Sequence, residues 1–439
     1  MMFRKINKKI ALAIMVCILI VGLMLLGQKR QQPIVLEFGM FTGSNWDVAN
    51  ANSFIIIDEA IERFEKEHPG VKFHYYSGLR KDDYSEWISR KLLSGEEPDV
   101  FMVLGNDFNQ FASMGVLKDL QNNILSDKEF ETDRYFTSAY QTGQYEERQY
   151  ALPYETVPTL MFVNKSLLTK EGIEMPDSDW TWQDLYSICV RVTKDTDGDG
   201  MIDQFGTCNY GWMDAVCCSG ASLFREDGKE CKFTDEGVCD AIKLVRQINN
   251  LYANQKVTQE DFNAGNVAFM PLTFAEYRTY KTYPYRIKKY ANFQWDCITM
   301  PAGQSGNNLS QVDTLLLGVS EHTKHEQIAW EFIKLLTYDK EIQTDIFRYS
   351  QGASVLKDVT GSEEMENIVL QNMAVGDTII NRHLLSKVIE EGYVQPQFKK
   401  YEQAMSLADS EMNQILGSDK TIESSLKLLQ RSINEFLSQ

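Results

Sequence analysis

The chain has 439 residues, with 44 Lys and Arg against 62 Asp and Glu and a formal net charge of −18. That length is enough for two or three domains with real cores, and ten prolines without a low-complexity tract argue against a largely disordered chain. The acidity argues against a nucleic-acid binder, which needs clustered Lys and Arg. Five scattered histidines with no His/Cys cluster weigh against a zinc enzyme.

The charge is unevenly spread. Residues 1–30 carry six basic groups and no acid, which leaves −24 for the remainder. Ile10–Gly27 is an uncharged apolar run, long enough for a signal h-region or a short membrane span. The basic cluster Arg4–Lys9 belongs on the cytoplasmic side. Leu25-Leu26-Gly27 fits a peptidase site poorly, and Gln28 stands where a lipid-bearing cysteine would. The expectation is an uncleaved anchor over residues 1–30 that holds the rest on the extracellular face, with a cleaved, secreted form as the alternative.

In chain order, Ile34–Phe41 reads as a buried strand and Thr42–Asn45 as a loop. Ile57, Ala60, Ile61 and Phe64 have helical spacing within Ile55–Lys66, which stops at His68-Pro69-Gly70. Val71–Tyr75 alternates as a strand. A helix at Tyr84–Leu93, a turn at Ser94–Pro98 and a strand at Asp99–Leu104 follow. This alternation predicts a parallel sheet with crossover helices. Gln149–Tyr154 leads into a second buried strand, Thr159–Asn164, and a helix opens at Thr181 or Gln183. Residues 257–301 alternate again, Ile328–Tyr338 is an amphipathic helix and the tail Phe398–Leu437 is mostly helical.

The sharpest motif is Asp195-Thr196-Asp197-Gly198-Asp199-Gly200-Met201-Ile202-Asp203. Asp195, Asp197, Asp199 and Asp203 occupy loop positions 1, 3, 5 and 9, Gly200 the tight-turn position 6 and Met201 the backbone-carbonyl position 7, an oxygen-rich pattern suited to a structural Ca²⁺. Gly206 replaces the bidentate Glu of position 12, so the alternative is an acidic surface turn without metal. Seven cysteines follow Cys17, five of them within Cys208–Cys239. Disulfides of an exported chain and small buried apolar residues are both open readings. No nucleophile–base constellation stands out, and GxSxG, HExxH, GxxxxGK[ST] and strand-linked GxGxxG are absent. Aromatic residues beside turns are more suggestive, because indole and phenol rings suit the apolar faces of sugars. Of these, Trp46 and Trp212 are favoured as site residues, whereas Trp180, Trp182 and Trp295 read as core or helix-covering rings.

Taken in order, the pieces resemble the extracellular solute-binding proteins of family 1, the maltose-binding-protein-like receptors of ABC sugar importers. The carriers are Ala60–Val71, Leu93–Val100, Phe111–Leu120, Tyr150–Tyr154 with Leu160–Lys165, Trp180–Trp182, Phe262–Met270 and Ala329–Leu336. Two places depart from the family pattern: Gln28 at the lipobox, and Pro271–Tyr277 where a Gly-Trp pair often follows. The resemblance implies an α/β, two-lobed periplasmic-binding-protein type II fold, each lobe a mixed, mostly parallel sheet flanked by helices. A three-segment hinge would join the lobes near Tyr154–Phe162, Asp313–Gly318 and Ala353–Lys357. Residues 34–155 and 315–353 would form the N-terminal lobe, and 156–314 and 354–439 the C-terminal lobe. Ligands of open α/β sheets bind beyond strand ends, which selects Asn45, Trp46, Asp107, Glu155, Tyr210, Trp212, Tyr277 and Asp313. Trp46 and Trp212 would stack on sugar rings and the acids would accept hydroxyl hydrogen bonds. The implied function is non-enzymatic: a monomer that captures a carbohydrate and delivers it to ABC permease subunits. A membrane-tethered sugar sensor signalling to a kinase is the first alternative, and a carbohydrate hydrolase a distant second.

Overall fold

The computed structural model describes residues 33–48, 52–76, 78–253, 255–282, 293–371 and 379–439. The expected anchor over residues 1–30 lies outside them. Among the described residues no helix is long and apolar enough to cross a membrane.

Eleven strands are described: β1 (Ile34–Gly39), β2 (Val71–Tyr75), β3 (Val100–Val103), β4 (Gln144–Tyr145), β5 (Arg148–Gln149), β6 (Ala151–Asn164), β7 (Phe205–Thr207), β8 (Val267–Thr273), β9 (Trp295–Ile298), β10 (Val312–Val319) and β11 (Ala353–Ser354). The main path runs β2-β1-β3-β10-β6-β8-β7, with β9 and β11 also on β6, while β4 and β5 form a separate hairpin. β1 is parallel to β2 and β3, connected by helices Phe54–Glu67 and Lys81–Ser94, as the alternation requires. Helix Phe54–Glu67 forms because Ile57, Ala60, Ile61 and Phe64 share one face, and all four are buried. It ends at His68, whose N–H donates to the Phe64 carbonyl. The first strand stops at Gly39, short of the predicted Phe41. A β-carbon at Gly39 would lie 2.9 Å from Phe101 Cβ, and the chain leaves the sheet there.

The two strands predicted at Gln149–Tyr154 and Thr159–Asn164 are one 14-residue strand, β6. Pro153 and Pro158 cannot donate to a ladder. Pro158 lies opposite Val312, and next to Pro153 the register shifts so that Tyr154 is the extra residue. The Tyr154 carbonyl is taken up by Gln343 Nε2 at 3.0 Å. The first half of β6 pairs with β10 and β11, and the second half with β8 and β9. One strand therefore belongs to both lobes.

The first lobe packs Phe38, Phe64 and Phe332 edge to face, with Phe332 supplied by helix Glu326–Tyr338. The second lobe packs Trp295 against Phe162 and Trp180 against Phe269. Trp180 Nε1 donates to the Thr299 carbonyl at 2.9 Å, so its ring is a core residue. Helix Trp182–Val192 starts at a capping box formed by Thr181 and Asp184. All seven cysteines of the described residues are buried free thiols.

The third exchange of chain comes later than the expected boundary at 353/354. Helices Lys357–Thr360 and Arg382–Glu390 sit beside helix Thr137–Gln141: Glu390 accepts from Thr137 N at 2.9 Å and pairs with Lys357 at 3.1 Å. The chain crosses at Tyr393, which bridges to Gln311 and donates to the Ser310 carbonyl. Helices Tyr401–Leu416 and Ile422–Leu437 then pack on the second lobe, where Arg246 caps the Ile415 and Lys420 carbonyls.

Candidate ligand cleft

The loop after β1 carries the first candidates. Thr42 is tied to the Leu79 carbonyl through its N–H at 2.8 Å and its hydroxyl at 3.1 Å. Trp46 N donates to Ser44 Oγ at 3.0 Å. Lys81 Nζ donates to the Asn45 carbonyl at 2.6 Å and pairs with Asp47 Oδ1 at 2.9 Å. Asn45 and Trp46 thereby face a cavity of about 300 Å³ at the meeting of β6, β8 and β10, together with Lys81, Asn106, Thr273 and Asp313. The structure thus brings together Asn45, Trp46 and Asp313 of the predicted set.

Glu155 lies behind this wall. It shares a water-sized void with Asn45 and accepts from Ser350 Oγ at 2.5 Å and Gly352 N at 2.7 Å. Gly352 is glycine by necessity, because a β-carbon would sit 2.3 Å from Glu155 Oε1. The Trp46 indole nitrogen is near the same carboxylate without closing a hydrogen bond of ordinary geometry. Asp107 stands on helix Gly105–Ser113 and accepts from Ser85 Oγ at 2.7 Å. Tyr210 and Trp212 line a different cavity, of about 680 Å³, on the second lobe. Trp212 is 7% exposed and its Nε1 donates to Asp409 at 2.9 Å. Tyr277 is placed in the core rather than the cleft. It is buried against Phe274, and its hydroxyl accepts from Ile380 N at 2.9 Å.

Two cleft residues were missed by sequence reasoning. Lys81 opens the helix after β2, so the strand-end rule that selected Asn45 would have found it. Glu402, at the start of helix Tyr401–Leu416, has no local signal. Burial pushes the Glu402 carboxyl up to about 7, helped by Asp107 and Asp313, which face it. Asp107 is pushed up by burial, against the pull of Ser85. Asp313 is open to cleft water yet hemmed in by protein; burial pushes its carboxyl up and Lys81 opposes this. The Asp313 carboxylate thus lies in one cavity with the indole, and Asp107 and Asp313 both interact electrostatically with Glu402 of the second lobe. These carboxylates are acceptors suited to hydroxyl donors, and the indole offers an apolar face.

The acidic loop lies apart from this cavity. Asp195, Asp197 and Asp203 each bring one carboxylate oxygen within 4.8 Å of the others, while Asp199 and Met201 stand outside that group. Asp195 accepts from Gly198 N and Gly200 N at 2.7 and 2.8 Å, bonds that hold its carboxyl below the usual range. Gly198 and Gly200 have positive φ, as the tight turn demands. The donor set is all hard oxygen, which fits Ca²⁺ chemically.

Comparison with known proteins places this geometry. A galactooligosaccharide-binding protein of Bacillus subtilis is 23% identical over 313 residues, 68% of this chain and 69% of that protein. A Listeria monocytogenes ABC substrate-binding protein solved with cycloalternan superposes with a TM-score of 0.69 at 20% identity, covering 92% of this chain and 99% of that one. The sugar-binding protein MalE of Xanthomonas citri gives 0.75 at 14% identity, with 92% and 97% covered. These likenesses establish the two-lobed, mixed-sheet fold. The model of the bacterial extracellular solute-binding proteins matches residues 51–342, most of the chain. The chain belongs to the bacterial extracellular solute-binding protein family.

Proposed function

We propose that this protein captures a carbohydrate, an oligosaccharide in particular, in the cleft between its lobes and delivers it to an ABC permease without chemical change. The observation that carries this reading is the Trp46 indole beside Asn45 and Asp313 at the hinge of a two-lobed receptor. Closure around a ligand is what a hinged fold offers, and a neutral polyol tolerates an acidic body. Of the similar proteins named above, one is a galactooligosaccharide-binding protein, one was solved with cycloalternan and one is a sugar-binding protein, which supports a carbohydrate here. We further propose that residues 1–30 anchor the receptor at the extracellular face, that it acts as a monomer, and that the acidic loop takes a structural Ca²⁺.

The test is isothermal titration of residues 31–439 against maltodextrins, galactooligosaccharides and cyclic glucans. At least one should bind, and Trp46→Ala should weaken it about tenfold, roughly 1.4 kcal/mol for a lost stacking face, with the far-ultraviolet circular dichroism of the native fold retained. No binding to any sugar overturns the reading.

A further inference from the structure

We propose that Lys81 is the positioning residue of the cleft: its ammonium group holds the Asn45–Asp47 loop in the arrangement that presents Trp46, and so sets affinity without touching the ligand. The ligand side of this proposal rests on the carbohydrate reading above; the loop side does not. Trp46 stands on irregular backbone, outside any helix or strand. The bond from its N–H to Ser44 Oγ is local, while Ser53 Oγ holds the Gly43 carbonyl at the start of the loop and the indole packs on the edge of the core. Lys81 bonds the residues on either side of Trp46, from a helix that is itself anchored in the first lobe. Asp47 has φ of +55°, a left-handed conformation that a β-carbon resists.

The geometry also says what Lys81 is free to do. An ammonium has three donors, and two are directed at Asn45 O and Asp47 Oδ1. The Asp47 side chain is 83% exposed, so that pair is screened and weak. The 2.6 Å bond to the Asn45 carbonyl, made by a side chain only 27% exposed, is the tighter restraint. Lys81 and Asp313 line the same cavity, and the lysine's charge opposes the upward shift of the Asp313 carboxyl. Two of its three donors are thus committed to the loop, and the ligand meets the indole that Lys81 holds in place.

The experiment uses residues 31–439 labelled with 5-fluorotryptophan, with the Trp46 ¹⁹F resonance assigned by its loss in Trp46→Phe. Without any sugar, Lys81→Met should shift or broaden that resonance and leave the core Trp180 signal in place, and Lys81→Arg should restore it in part. Titration with the tightest sugar of the panel should show a loss of several-fold for Lys81→Met, no larger than that of Trp46→Ala. It should show no further loss when Lys81→Met is added to Trp46→Ala, because the lysine acts through the indole. An unmoved Trp46 resonance, or losses that add, would overturn the proposal and make Lys81 a direct ligand contact. If no sugar binds wild type, the carbohydrate reading fails, and the sugar-free resonance still decides the positioning role. Should Lys81→Met not fold, Lys81→Gln keeps one donor for Asn45 and gives the same two readouts at smaller amplitude.

Discussion

Arg278 and Glu155 are buried opposite charges that interact at longer range where the lobes join, and the removal of Arg278 can be worked through. Arg278, on helix Phe274–Thr282 after β8, is 4% exposed and donates to the Phe347 carbonyl at 2.6 Å. Phe274 and Phe347 flank its guanidinium at 5.8 and 6.0 Å. Glu155, 3% exposed, holds Ser350 and Gly352. Burial pulls the guanidinium down to about 10 and pushes the carboxyl up, and each charge opposes the other's shift. Arg278→Met fills the same space, leaves a buried carboxylate without its opposing cation and orphans the Phe347 carbonyl. Losing the charged hydrogen bond to that carbonyl costs about 1.5–3 kcal/mol, and the lost attraction to Glu155 adds to it. Glu155→Gln removes the other charge and keeps its volume. The double variant should then lie about 0.5–1 kcal/mol below the sum of the singles. Urea unfolding followed by circular dichroism and by tryptophan fluorescence measures all three, and coincidence of the two probes checks for a single transition across lobes that share strands. A cost under about 1 kcal/mol for Arg278→Met, or strict additivity in the cycle, would refute the coupling.

Three further outcomes follow from the geometry. Glu402 titrates at about 7 in the folded chain against an ordinary 4.5, so folding takes up a proton. Its contribution is full below 4.5 and is lost as pH rises through 7. Thermal melts should therefore show Glu402→Gln more stable than wild type at pH 8 and no more stable at pH 4.5; equal pH profiles would show that the side chain does not feel the cleft. Calcium at about 100 times its dissociation constant should stabilise wild type by roughly 2.7 kcal/mol and leave Asp195→Ala unmoved, whereas indifference of both identifies the loop as a bare turn. Ellman's reagent should find no reactive thiol in the native 31–439 protein within minutes and seven after guanidinium, since every described cysteine is buried and unpaired; prompt native reaction would place one at the surface.

What could be read in advance was what short-range physics controls. Helix Phe54–Glu67 was legible because its apolar period and the His68-Pro69-Gly70 stop are both local. The strand-end rule found Asn45 and Trp46, one loop beyond β1. β6 was not legible as one strand, because Pro153 and Pro158 are strand breakers unless a partner supplies a bulge, and that partner, β10, lies far along the chain. Tyr277 looked like a turn-edge aromatic until its hydroxyl found Ile380 N from a distant segment. Glu402 was invisible for the same reason: it meets Asp107 and Asp313 only once both lobes are built. Sequence pattern reaches the ends of elements, and topology decides which ends meet.

The interleaving of the chain also governs when the first lobe becomes a folded object. β10 lies between β3 and β6 in the sheet, and Leu316 is the partner of Val103. Until β10 has left the ribosome, β3 and β6 have no strand between them, and the first-lobe core also waits for Phe332 and for the helix ending at Glu390. Such long-range closure is slow. A first lobe made from its amino end therefore closes only once Glu390 is available, after most of the second lobe has been synthesised.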